Sequence, residues 1–387
     1  MKILILYESM VSGGVEKSII NFLETIDYSK HEVDLYLNRH VGEFYGFIPK
    51  QVNLLNAPQN PSKTDEQDSV GQQPKKANFI VRFLSNSRIL QKLGARDFYY
   101  KRKYRAVDFE KEYDIAIMHN VYFNLFYILR NKIKAKYKCA VCHGDYGFIN
   151  KRIQKDAITQ YRKLDTLFFV SQSCEKRFHS LHKRSKVATD FVYNMQDTEE
   201  IVKKSKEHDI DLGAGFNIVS VSRLSEEKAH VRTLGVLKRL KEEGFKFCWN
   251  VVGDGPTREK IESKIKEYAL EDCVKLYGNK KNPYPYMKSA DLFYLGSYHE
   301  AAPMVYAEAM SLKVPVLTTE TCSARELVGD YGFVCENSEE GIYSIFKMIM
   351  QDKELLKQKS EMLKNYKYDN SLFFDKITKA ALIKNGR

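Results

Sequence analysis

Long hydrophobic runs are missing from this 387-residue chain. No apolar stretch reaches the roughly 18 residues that a membrane-crossing helix needs. The opening "MKILILYES" has only a short apolar run before Glu8 and no small-residue cleavage site behind it, so it reads as a first buried strand rather than a leader. Proline is scarce, at 9 residues, and tryptophan occurs once. The 7 cysteines are scattered and odd in number, which argues against a disulfide framework and fits a reducing cytosol. "CAVC" (Cys139 to Cys142) has metal or redox spacing, but no second pair sits at zinc-site distance, and its apolar setting suits buried free thiols. No metal site is expected, and none of the glycine patterns is a dinucleotide fingerprint, so no cofactor is expected either.

Acid is also in short supply: 50 Asp and Glu stand against 62 Lys and Arg, a net charge of +12. Such a surplus favours acidic partners such as nucleic acid, anionic lipid or phosphorylated ligands. It is concentrated between Lys75 and Arg105, where ten basic residues interleave with Phe83, Leu84, Ile89, Leu90, Leu93, Phe98, Tyr99, Tyr100 and Tyr104 against the single acid Asp97. That pattern predicts basic amphipathic helices, either solvated or lying on an anionic membrane. No nucleic-acid recognition motif accompanies it, so nucleic acid is not an expected partner.

What is present is an α/β alternation. "KILILY" (2–7), "EVDLYL" (32–37), "YDIAIMH" (113–119), "KCAVCHG" (138–144) and "DTLFFVS" (165–171) read as buried strands separated by helix-compatible segments. The polar, proline-bearing stretch 57–76 reads as a loop. A second series follows: "FNIVSVS" (216–222), "FKFCWNVVG" (245–253), "CVKLYG" (273–278), "DLFYLGS" (291–297), "VPVLTT" (314–319) and "GFVCE" (332–336). Continuous apolar strands alternating with helices predict parallel sheets covered on both faces. The expected architecture is two doubly wound Rossmann-like domains facing across a cleft, residues 1–200 and 201–370, with an amphipathic helix over 371–387 returning toward the first.

Ligands of such sheets bind beyond the carboxyl ends of the strands. Three segments fall there. In "GSYHEAAPMVYAEAM" (296–310), Pro303 suits the first turn of a helix, and the amides near Ala302, Met304 and Val305 would form an anion site. Glu300 precedes that site, and Glu308 lies about a turn and a half into the helix, half-buried and in need of donors such as paired hydroxyls. A phosphate flanked by two hydroxyl-binding carboxylates describes a nucleotide-sugar, although a capping Glu300 and a solvent-facing Glu308 would fit the same pattern. In "VSVSRLSEEKAHV" (219–231), Arg223 and Lys228 sit where they could neutralise a diphosphate without a metal, or serve simply as surface charges. In "SGGVEKS" (12–18), Gly13 and Gly14 allow close backbone approach at a helix N-terminus. "VVGDGP" (251–256) reads as a tight turn, and Asp209 to Asp211, the one D-x-D, falls in the linker.

"GGVEKS", "VSRLSEEKA", "VVGDGPTRE", the pair Glu300 and Glu308, and "PVLTTETCSARELV" occur in the order seen in family 4 glycosyltransferases, which the chain resembles over nearly its whole length. "HEAAPMVYAEAM" is similar to the E-G-F-P-x-x-x-x-E-A-M of that family, with Ala301 and Ala302 where Gly and Phe are usual, a change that would alter the pocket wall beside the sugar. The resemblance implies the GT-B fold and a retaining, metal-independent hexosyltransferase. Its donor would be a nucleotide-sugar, by family frequency a UDP-sugar. Its acceptor would be a saccharide, lipid-linked in cell-envelope polysaccharide synthesis, met in the cytoplasm or on the inner face of the membrane. It implies that Arg223 and Lys228 bind the donor diphosphate, that Glu300 contacts the sugar, and that Glu308 holds the ribose. Gly14 would approach the phosphates from the opposite domain, and one or both of His119 and His143 would face the reacting centre. A catalytically silent GT-B partner subunit and a nucleotide-sugar epimerase are the alternatives.

Overall fold

The computed structural model describes residues 1–11, 13–55, 95–121, 123–148, 151–384 and 386. The polar loop 57–76 and the basic stretch as far as residue 94 lie outside the described residues. The last part of that basic stretch is a helix, Ala95–Lys103, which exposes Lys101, Arg102 and Lys103 while burying Tyr100 against Tyr127.

Two parallel sheets organise the chain. The first has seven strands: β1 (Lys2–Tyr7), β2 (Glu32–Leu37), β3 (Asn53–Leu55), β4 (Glu112–His119), β5 (Lys134–Cys142), β6 (Thr166–Phe169) and β7 (Thr189–Phe191), in the order β3-β2-β1-β4-β5-β6-β7. The second has six: β8 (Phe216–Val221), β9 (Phe247–Val252), β10 (Val274–Leu276), β11 (Leu292–Leu295), β12 (Val316–Thr319) and β13 (Gly332–Cys335), in the order β10-β9-β8-β11-β12-β13. The central strands are buried on both faces, which is why β1 reads as an apolar run after Lys2 and β9 as one broken only by the buried Asn250. Each sheet reverses its winding direction once, between β1 and β4 and between β8 and β11. Those two switch points open the crevices in which ligands of this architecture lie.

One apolar core surrounds the first sheet, and two further clusters cover the faces of the second. The helix Ser371–Lys384 packs on the first sheet: Phe373, Ile377 and Ala381, each four residues apart, form its buried stripe. Phe373 meets Phe22 at 4.9 Å between ring centroids and stacks on His119 at 5.9 Å. The chain therefore passes between the sheets twice. The two crossings are joined side by side: the Gln196 amide donates to Asn370 Oδ1 at 2.9 Å, Asn370 Nδ2 donates back to the Gln196 carbonyl at 2.7 Å, and Tyr368 donates to the Asn194 carbonyl. Among the described residues no helix is long and apolar enough to cross a membrane.

Candidate functional site

On the second sheet's side the site begins with the loop after β8. The Ser222 amide donates to the Val252 carbonyl and the Leu224 amide to the Asp254 carbonyl, so the loops after β8 and β9 run together with Arg223 at the rim. Gly253 permits this. Its φ is +142°, and a Cβ there would stand 1.9 Å from the Ser222 carbonyl oxygen, so "VVGDGP" is a close backbone approach as well as a turn. Arg223 itself is exposed. Lys228 ends a single 3-10 turn, Glu226–Lys228, and Ala229 in the left-handed region (φ 57°) redirects the chain into the helix His230–Glu242.

Lys228 forms an ion pair with Glu300, which arrives from the loop after β11. Ser297 donates to the same Glu300 oxygen at 2.7 Å, and the Ser297 carbonyl is held by Thr319 Oγ1 at 2.6 Å. Glu300 is thus oriented by two contacts at one carboxylate oxygen, from Lys228 and Ser297, rather than capping the following helix. That helix is Met304–Ser311. Pro303 stands at its cap position with ψ 122°, one residue earlier than the first turn expected from the sequence. The first amides of the helix have no intrahelical acceptor and make its N-terminus electropositive. The Ala302 carbonyl accepts from Asn194 at 3.1 Å and the Met304 carbonyl from Gln196 at 3.0 Å, both of which come from the crossing segment.

Glu308 is 3% exposed, more deeply buried than half. Its carboxylate pairs with Lys17, whose ammonium also contacts the Tyr284 hydroxyl oxygen. Lys17 belongs to the opposite domain. Burial alone would pull its ammonium down, but the Glu308 carboxylate and the Tyr284 oxygen outweigh that and hold it above the ordinary lysine value. Burial, helped by Glu308, pushes the Tyr284 hydroxyl up to about 12.

The first sheet contributes the facing rim. After β1, Gly13 (φ +156°) leads into the helix Gly14–Thr25. A Cβ on Gly14 would lie 3.5 Å from Met304 Sδ, so the N-termini of these two helices face each other across the cleft. Glu16 accepts from the Tyr7 hydroxyl at 3.0 Å. Burial raises its pKa against the pull of that bond and of Arg223 across the gap. At the ends of β4 and β5, His119 Nδ1 and His143 Nε2 are 3.1 Å apart. Depth separates the two rings: His119 is fully buried with no hydrogen-bond partner for Nε2, whereas His143 is only partly covered. Burial lowers both, His119 well below the ordinary histidine value and His143 to about 4. Beyond them, Phe148 stacks on His299 of the second domain at 4.1 Å, and Arg177 pairs with Asp145 at 3.2 Å.

The structure therefore gathers Gly13, Gly14, Arg223, Lys228, Glu300, Ala302, Pro303, Met304, Val305 and Glu308 around facing switch points, with His143 at the rim and His119 behind it. Lys17, Tyr284 and Glu16 join them unannounced. For Lys17 a signal existed: it stands four residues after Gly13 in "SGGVEKS", one helical turn on and on the same face. The seven cysteines are all free thiols, Cys139 and Cys142 fully buried.

Over 98% of this chain and 99% of the other, the backbone superposes on Anabaena Alr3699/HepE solved in complex with UDP, with a TM-score of 0.67 at 18% identity. The lipopolysaccharide glycosyltransferase WaaG superposes over the full length of both chains with a TM-score of 0.61 at 18% identity. The fold is GT-B. Within it, residues 203–369 match the family profile described as glycosyl transferases group 1. These residues run from just before β8 to just short of the last helix and include Arg223, Lys228, Glu300 and Glu308. Among curated proteins, the N-acetylgalactosamine-N,N'-diacetylbacillosaminyl-diphospho-undecaprenol 4-alpha-N-acetylgalactosaminyltransferase of Campylobacter jejuni is 33% identical over 49% of this chain and 50% of that enzyme. The putative colanic acid biosynthesis glycosyltransferase WcaL of Escherichia coli K12 is 33% identical over 29% of this chain and 30% of its own length. The chain spans about half, or less, of the length of these curated relatives. In GT-B terms, the switch point between β8 and β11 and the one between β1 and β4 are the two walls of the interdomain cleft.

Proposed function

We propose that this GT-B protein transfers a hexose from a nucleotide-sugar, a UDP-sugar, to a saccharide acceptor carried on a lipid during envelope polysaccharide synthesis, with retention of anomeric configuration and without a metal. The observation that carries the reading is the convergence at one switch point of Arg223, the Lys228–Glu300 pair and the N-terminus of the helix Met304–Ser311, opposite the glycine-led N-terminus of the helix Gly14–Thr25. Two helix N-termini and two cations suit a diphosphate. The Campylobacter relative is named for a lipid-diphosphate acceptor, and the Anabaena neighbour was solved with UDP, which support the choice of acceptor and nucleotide.

In this reading Glu300 accepts hydrogen bonds from the sugar hydroxyls, and Glu308 takes those of the ribose beside Lys17. As the bond to the sugar lengthens, negative charge grows on the leaving phosphate. Arg223, Lys228 and the amides at Met304 and Val305 stabilise it, and the leaving phosphate takes the acceptor's proton on the same face of the sugar. His143, neutral near pH 7, contacts the donor sugar or acceptor at the rim, while His119 orients it through the shared hydrogen bond. The exposed basic side of the helix Ala95–Lys103, with Phe98 beside it, lies against anionic lipid and presents the cleft to a membrane-held acceptor.

Nucleoside diphosphate release from a panel of UDP- and GDP-sugars, with and without EDTA and with and without a lipid-linked acceptor, tests this. EDTA-resistant release from one donor is expected, and strict metal dependence would refute the Arg/Lys assignment. Lys228→Ala and Glu300→Ala should each lose about 10²–10³ in rate or more while keeping the wild-type circular dichroism spectrum. Full activity in either variant removes that residue from the site.

A further inference from the structure

One carboxylate at the switch point of the first sheet has no part in the transfer described so far. Glu8 is the residue that follows β1 and precedes the glycine-led helix Gly14–Thr25. The loops after β1 and β2 are zipped together around it. The Asn38 amide donates to the Tyr7 carbonyl at 3.1 Å, the Arg39 amide to the Glu8 carbonyl at 2.9 Å, and the Met10 amide to the Val41 carbonyl at 3.0 Å. Gly42 lets the loops close: its φ is +124°, and a Cβ there would stand 2.0 Å from the Met10 carbonyl oxygen. The backbone under Glu8 is therefore fixed from two strands.

Its side chain is fixed as well. Asn38 donates from Nδ2 to Glu8 Oε1 at 2.9 Å. Asn124, in the first turn of the helix Phe123–Asn131 after β4, donates from Nδ2 to Oε2, also at 2.9 Å. The hydroxyl of the fully buried Tyr104 donates to Asn38 Oδ1 at 3.3 Å, which sets that amide with its NH2 group toward Glu8. The bond from Asn124 joins the ends of β1 and β4, the strands between which the winding reverses. Ligands of doubly wound sheets lie at that point.

A carboxylate offers about four acceptor positions, and the two amides fill two of them. Arg39 adds only a loose, half-exposed pair at 3.8 Å. The Glu8 side chain keeps 24% of its surface exposed, so its free positions open beyond the carboxyl end of the sheet. Asp34 of β2 shows the closed alternative: it is 1% exposed, and Asn53, Tyr113 and Lys111 occupy its oxygens. Glu8 is held at both oxygens and left open on one side.

We infer that Glu8 is a specificity-determining residue that accepts hydrogen bonds from two neighbouring hydroxyls of the acceptor sugar, with Asn38 and Asn124 as its positioning residues. The inference rests on the transfer reading above, in which Glu300 and Glu308 of the second sheet serve the donor. A carboxylate anchored to the first sheet at the facing switch point is left for the acceptor. Two oxygens, each with a free acceptor position, match a vicinal diol. Neutral hydroxyls suit a loosely paired carboxylate where a phosphate would be repelled, so the ligand is the sugar and not a diphosphate that carries it. A sugar lacking one of the two hydroxyls leaves an acceptor position without its donor, which is how such a site discriminates.

The test measures binding without turnover. Wild-type protein is mixed with UDP, and methyl glycosides of glucose, galactose, mannose, N-acetylglucosamine and N-acetylgalactosamine are titrated by saturation-transfer NMR, each beside its single-deoxy analogues. At least one glycoside should bind, and loss of either of two adjacent hydroxyls should weaken it about 10-fold or more. Glu8→Gln should bind the same glycoside about 10- to 100-fold more weakly and should no longer distinguish it from those deoxy analogues. Asn124→Ala, which keeps the carboxylate but removes a positioning amide, should weaken the glycoside by a smaller factor. Calorimetry should give both variants the UDP affinity of wild type, which shows that the cleft is folded. A wild-type protein that binds no glycoside of the panel, or tolerates every deoxy change, overturns the assignment, as does undiminished binding and selectivity in Glu8→Gln. A protein that binds a glycoside through Glu8 yet binds no UDP refutes the donor reading instead.

Discussion

Lys17 and Glu308 are 291 positions apart, and each is the other's principal neutralising partner in a buried setting. Replacing Lys17 by Met would leave the Glu308 carboxylate, 3% exposed, without its cation. Removing one member of a buried pair typically costs about 3–5 kcal/mol, whereas removing both charges costs much less. Urea unfolding should therefore show Lys17→Met strongly destabilised and Lys17→Met/Glu308→Gln partly restored. Equal stability of the single variant and wild type would show that the pair contributes nothing to the fold. At the other rim, burial holds His143 at about 4 against an ordinary 6.5, and His230 likewise. Between those values the unfolded chain binds protons that the native protein refuses, so stability falls as pH drops through the window from 6.5 to 4. His143→Gln should flatten that fall. Unfolding midpoints measured at several pH values across the window decide it, and an unchanged slope would place the acid sensitivity elsewhere.

At the scale of elements, the helix Gln172–Leu181 is capped from outside its own domain. Glu326 accepts from the Gln172 amide at 2.8 Å, the Ser173 amide at 2.7 Å and the Tyr193 hydroxyl at 2.9 Å, while Ser171 caps the Cys174 amide locally. A carboxylate at a helix N-terminus satisfies orphan amides and favours the helix dipole. Glu326→Ala should cost about 0.5–2 kcal/mol and speed hydrogen exchange at Gln172 and Ser173. Unchanged exchange there would mean that solvent replaces the carboxylate without loss. The capping by Glu326 could not be read from the sequence, because donor and acceptor lie over 150 positions apart. The elements themselves were legible wherever burial on both faces made a run apolar: "KILILY" and "EVDLYL" are β1 and β2 residue for residue. The edge strands β3 and β7 were not legible. Their three residues each, Asn53–Leu55 and Thr189–Phe191, show neither alternation nor a continuous apolar run. The candidate site divides the same way. Glu300, Arg223 and Lys228 follow strands directly, so position alone suggested the cleft. Lys17, Tyr284 and the unequal depths of His119 and His143 depend on which surfaces meet, and spacing along one chain carries no such information.

For the whole molecule, the helix Ser371–Lys384 returns the end of the described chain to the first sheet. Its stripe of Phe373, Ile377 and Ala381 completes the core of the first domain, with Lys376 reaching Asp190 and Lys384 reaching Asp165, each at 2.7 Å. Deleting residues 371–384 should expose Phe22 and His119 and lower hydrogen-exchange protection in β1, β4 and β5, while β8, β9 and β11 keep theirs. Uniform loss across both sheets would instead show that the two domains unfold as one unit. The same helix also imposes an order on biosynthesis. The first sheet's last strand leaves the ribosome long before the helix that closes its core. At about 5–20 residues per second the newborn first domain waits roughly 10–40 s with an apolar face open. The second domain, whose strands all lie within Phe216–Cys335, can be finished first. A nascent chain of this protein therefore offers chaperones a defined interval and a defined surface, and the half made first is the half completed last.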